Sequence, residues 1–129
     1  MTQEQFYAEI ARRIKVIVND ISREEYDDIL TVASIDSSWC GTQGTQADGI
    51  KEWSEWLHGQ FALWAEDDGK AYVVDLFDEQ YMDILQTEGT YAFVTYTATN
   101  HGEPLDFWFE FECTYDENEQ VKIVWNVNI

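Results

Sequence analysis

The chain has 129 residues, 45% hydrophobic and 16% aromatic, enough for one sizeable core and far from the make-up of a disordered acidic tail. Its formal net charge of -19 repels nucleic acid and anionic membrane, and favours basic partners, cations or plain solubility. No signal peptide or membrane-length apolar run is visible, so a cytoplasmic protein with a single domain over residues 1–129 is expected.

In chain order, Phe6, Ile10, Ile14, Ile17 and Ile21 recur at three- and four-residue steps and predict a long first helix. Thr2 and Gln5 have capping-box spacing at its start. Ser22 and Glu25 repeat that spacing, which predicts a second short helix turning Tyr26, Ile29 and Leu30 inward. Val32 and Ile35 suggest a short strand before a small, polar, glycine-containing loop over residues 41–47. Asp48 is the expected N-cap of a third helix. On it Ile50, Trp53, Leu57, Phe61 and Trp64 form an apolar stripe with Trp56 beside it, a spacing that points to core.

Everything after Lys70 reads as strand. Residues 72–86 predict one bent strand or two short ones, and Glu88-Gly89 a tight hairpin. Residues 90–99 are rich in β-branched and aromatic side chains, and the loop NHGEP turns the chain again. Leu105, Phe107, Phe109, Phe111, Cys113 and Tyr115 then alternate with Asp106, Trp108, Glu110 and Glu112. After the turn DENEQ, Val121, Ile123, Trp125, Val127 and Ile129 share one face of a last strand. The fold class is therefore α+β: a cone-shaped roll, with a bent antiparallel sheet packed on three N-terminal helices. The aromatic faces of the last two strands are expected against the long first helix.

That order resembles the nuclear transport factor 2-like superfamily, the cystatin-like α+β roll that includes the SnoaL-like proteins. The residues that carry the resemblance are Trp39-Cys40-Gly41-Thr42 followed by GIKEWSEWLHGQF, and the closing stretches YMDILQTEGTYAFVTYTAT and FWFEFECTYDENEQVKIVWNVNI. The resemblance implies a pocket between sheet and helices, used by isomerases, dehydratases, cyclases, ligand sensors or assembly modules without chemistry. It also implies an acid with a Tyr or His in the cone. Asp36 is the nearest candidate base, and Tyr26 and Tyr91 are candidate hydroxyls. Trp39, Trp56 and Phe107 are candidate pocket walls; the indole N–H of Trp39 would orient a polar ligand atom.

Trp108 stands between Asp106 and Glu110 on the face opposite the phenylalanine ladder, which suggests a partner surface. Tyr96 and Val124 are candidate members of the same patch, and the resemblance implies a homodimer through it. His58 and His101 lack a second ligand at metal spacing, and the acidic runs lack a calcium-loop pattern. No metal and no cofactor is expected, and Cys40 and Cys113 read as two reduced thiols. Three functions remain open: a pocket for a small hydrophobic ligand in a dimeric module, an isomerase or dehydratase using Asp36, and an acidic inhibitor or immunity-type protein. The last would mask a basic target such as a nuclease or DNA-binding protein.

Overall fold

A computed structural model of the chain describes residues 1–36 and 45–126. Helix α1, Gln3–Arg23, opens on the expected capping box between Thr2 and Gln5 and buries Phe6, Ile10, Ile14, Ile17, Val18 and Ile21. The break expected at Ser22 does not occur. Ile21 still lies on the buried stripe, so the helix continues to Glu24, whose left-handed backbone (φ 58) ends it. The next helical turn, α2, is only Ile29–Val32; it buries Ile29 and Val32, while Leu30, expected inward, is 39% exposed.

Strand β1, Ser34–Ile35, leads past the segment outside the described residues to helix α3, Gln46–Asp68. The N-cap of α3 is Thr45 rather than Asp48. Asp48 is the reciprocal member of the capping box, accepting from Thr45 N at 3.1 Å while Thr45 Oγ1 accepts from Asp48 N at 3.2 Å.

Residues 71–78 correct the expectation of a strand from Tyr72: they form an extended strap outside the sheet. Side chains answer three of its backbone N–H groups. Val73 N donates to Asn100 Oδ1 (3.1 Å), Phe77 N to Asn19 Oδ1 (2.8 Å) and Asp78 N to Tyr96 Oη (2.9 Å), while Asp75 N donates to the Thr99 carbonyl (2.9 Å). A single 3₁₀ turn, Glu79–Tyr81, then starts the meander β2 Met82–Glu88, β3 Tyr91–Asn100, β4 Glu103–Tyr115 and β5 Val121–Asn126.

The sheet order is β1-β5-β4-β3-β2, with β1 parallel to β5 and the remaining pairs antiparallel. Register shifts at Ile84/Gln86 and Thr97/Thr99 bend it. The β3–β4 turn has positive φ at His101 (52) and Gly102 (79), a conformation in which glycine is unstrained. Helices on one face of this open, bent sheet make a cone-like α+β roll. No helix among the described residues is long and apolar enough to cross a membrane.

Two helices cover the aromatic rungs, where the first alone was expected. Trp53 of α3, 1% exposed, takes the centre: its ring meets Trp125 edge-on at 4.8 Å, Phe109 at 5.9 Å and Phe107 at 6.1 Å. Helix α1 reaches the far end, where Phe6 meets Tyr115 at 4.7 Å. Each fully buried large side chain contributes roughly 1.5–3 kcal/mol. Arg13 ties α1 to the sheet, donating to the Val121 carbonyl (2.9 Å), the Val32 carbonyl (3.2 Å) and Glu9 (2.9 Å).

One carboxylate works against the fold. Asp20 is buried, and that burial, with the neighbouring Asp28 and Glu25 charges, raises its pKa; the Asp28 backbone N–H and Arg23 only partly oppose the rise. A raised acid binds its proton more tightly in the folded chain. The contribution of Asp20 to stability is then greatest below the ordinary carboxylate range and falls as pH rises through the folded value. Asp20→Asn keeps an acceptor for Asp28 N. It is expected to melt higher than wild type at pH 7 and level with it in acid; a lower melting temperature at pH 7 contradicts this.

Candidate functional site

The αL ending of α1 sends the chain back across α3, and this places Tyr26, Asp27 and Leu30 beside the first turns of that helix. Ala47, Ile50, Lys51 and Ser54 follow helical spacing on the facing side. Between them lies a cleft of about 260 Å³. At about 30 Å³ of liquid per water this admits a ligand on the order of ten non-hydrogen atoms. Leu30, Ile50 and Ala47 make its apolar wall, and Asp27, Lys51 and Ser54 supply the polar groups.

Tyr26 is the unusual member. Its ring is half-buried, yet its hydroxyl is fully enclosed and has no hydrogen-bond partner among the described residues. Burial raises the phenol above its ordinary value, and the Glu24 charge adds to the rise. Ser54 opposes it but falls short of a hydrogen bond with Tyr26, and its own hydroxyl donates to the Lys51 carbonyl at 2.7 Å.

The other candidate pocket residues that the structure describes are not on this cleft. Asp36 is half-buried just after β1, its backbone N–H held by the Trp125 carbonyl at 3.0 Å. Trp56 is half-buried against the core. Phe107 packs under Trp53 and edge-on to Phe109 at 5.0 Å. Tyr91 sits at the β2–β3 hairpin, opposite Glu88 and Thr114. Trp39 and Cys40, like Val127 and Ile129, lie outside the described residues. Cys113 is a free, buried thiol whose pKa burial pushes up to about 12, which leaves it unreactive.

Of the candidate interface residues, Tyr96 requires a correction. It is 0% exposed and pairs with Phe109, so it faces the core, where its ring stacks on Phe77 of the strap at 5.1 Å. Val124 does lie on the outer face, in one row with Glu112 and Phe93. Glu110, Thr95 and Asp83 belong to the next row, and Trp108 stands beyond it, opposite Thr97 and 54% exposed.

No family model, curated protein or solved structure matches the chain. Among the described residues no three His, Cys, Asp or Glu side chains converge as a metal-binding group. The residues that sequence reasoning missed are Leu30, Ala47, Ile50, Lys51 and Ser54 as cleft walls. Their signal was the second helical row at 47, 50, 51 and 54, beside the larger stripe through Trp53.

Proposed function

We propose that the chain is a non-catalytic binding module of the nuclear transport factor 2-like type, whose cleft at Tyr26 takes a small, neutral, mostly apolar carbonyl compound. The observation that carries this reading is the enclosed Tyr26 hydroxyl, which has no partner among the described residues, at the edge of an apolar-walled cleft. Leaving a buried hydroxyl unpaired costs about 1–3 kcal/mol. Turning that ring toward the cleft breaks no hydrogen bond, and the phenol O–H then donates to a ligand carbonyl. The net charge of -19 selects against carboxylate ligands. The resemblance of the chain order to the superfamily supports a pocket protein, and the position of Asp36 off the cleft walls counts against it as a catalytic base there.

Ligand-observed NMR with neutral aromatic ketones tests the reading. Ala47→Trp, at an exposed position on the rim, fills the cleft and is expected to abolish saturable binding. Retained binding in that variant contradicts it. Tyr26→Phe separates stability from function. Because the hydroxyl has no partner among the described residues, the variant is expected to be as stable as wild type or more so in urea denaturation. Its ketone affinity should fall about tenfold, the worth of one hydrogen bond. A Tyr26→Phe protein destabilised by more than about 1 kcal/mol overturns the unpaired state of the hydroxyl.

A further inference from the structure

The helices pack on the inner face of the sheet, and the outer face meets solvent around Trp108. Strand register turns Glu110 and Glu112 of β4, with Asp83 and Glu88 of β2, onto that outer face, against Lys122 of β5. The face is therefore strongly anionic with an aromatic anchor, where a stable self-association surface is depleted of charge at its centre. A second copy of the chain would set carboxylate against carboxylate, which disfavours the homodimer implied by the resemblance. Nucleic acid and anionic lipid carry the wrong sign.

We propose that this face docks a basic protein surface, with an arginine of the partner stacked on Trp108 beside the Glu110 carboxylate. The indole Nε1 donates to Glu110 Oε1 at 3.1 Å, which holds the ring and the carboxylate side by side on β4. A flat guanidinium matches that arrangement: its face lies on the indole and its N–H edge reaches the carboxylate. An ammonium group satisfies only the charge. Glu112 and Asp83 extend the negative field along the docking surface, steering the partner to it. This surface is independent of the cleft at Tyr26, so each reading stands or falls alone.

The test is titration of the ¹⁵N-labelled protein with oligo-arginine and oligo-lysine of equal length at low salt. Saturable shifts are expected at the Trp108 indole N–H and at the amides of residues 93–95, 108–112 and 122–124. Oligo-arginine should bind at least about fivefold tighter than oligo-lysine, and Trp108→Ala should remove that preference. Glu110→Gln with Glu112→Gln should weaken binding about tenfold, whereas Glu66→Gln with Asp67→Asn, the same charge removed from the exposed end of α3, should change it about twofold at most. Shifts spread evenly over the acidic helix ends, no saturable binding, or equal affinity for the two peptides overturns the proposal. So does sedimentation showing a homodimer that Trp108→Ala dissociates.

Discussion

Trp53→Ala is expected to cost about 3–5 kcal/mol, the range for removing a large aromatic side chain from a packed core. Trp53 belongs to no single layer. It rises from α3 into the rungs of β4 and β5, with ring contacts to Phe107, Phe109 and Trp125. Deletion removes the buried apolar surface and leaves a void that rigid aromatic neighbours on a hydrogen-bonded sheet fill poorly. A domain of this size is stable by only about 5–15 kcal/mol, so the variant is left marginal. Urea denaturation followed by far-ultraviolet circular dichroism measures the loss. A cost below about 1 kcal/mol means that α3 does not hold the sheet and that the packing described is wrong.

The second large effect belongs to Asp75, in the strap. Its carboxylate organises the β3–β4 turn from outside: Oδ1 accepts from His101 N at 3.0 Å, and Oδ2 accepts from Gly102 N and from Thr99 Oγ1, both at 2.8 Å. Burial opposes the charge, but the Gly102 N–H, the Thr99 hydroxyl and the His101 N–H outweigh it and hold the pKa below the usual carboxylate value of 3.8. Hydrogen bonds to a charged acceptor contribute about 1.5–3 kcal/mol, so Asp75→Ala is expected to lose about 2–3 kcal/mol at pH 7 and to loosen both turn and strap. For a lowered acid the stabilisation is complete above the ordinary value and is lost as pH falls through the folded one. The stability of wild type should therefore fall more steeply than that of Asp75→Ala below about pH 4. Glu9 adds to the same acid limb: the Arg12 hydrogen bond, opposed by partial burial and aided by Arg13, lowers it to about 2. Parallel pH profiles for wild type and Asp75→Ala would show that the carboxylate does not hold the turn.

Much of the scaffold was readable because local signals agree with the tertiary outcome. The capping box at Thr2 and Gln5, the Phe6 to Ile21 stripe and the alternation of β4 each specify one face or one end without outside help. The strap was not readable, since its partners Asn19, Tyr96 and Asn100 are far away in sequence and only the fold brings them near. The end of α1 was misplaced because Ser22 and Glu25 have the spacing of a helix start, yet Ile21 still draws the last turn onto the core. Tyr96 was placed on the wrong face because β3 is apolar on both faces: Tyr91 and Phe93 alternate with Ala92, Val94 and Tyr96, and only pairing to Phe109 settles the parity. At the cleft, Tyr26 stood out as a phenol in a turn, while Ala47, Lys51 and Ser54 have no chemistry that marks them until α1 and α3 are side by side.

In the proposed binding mode, Trp53 shuts the rungs of the sheet and a ligand enters between the α1–α2 connection and α3. Backbone chemical-shift mapping with a neutral aromatic ketone tests it directly. The account predicts saturable shifts confined to residues 26–30 and 47–54, absent in Ala47→Trp. Shifts centred on residues 107–111 and 123–125, or shifts that persist unchanged in Ala47→Trp, would place the ligand beneath Trp53 and contradict it.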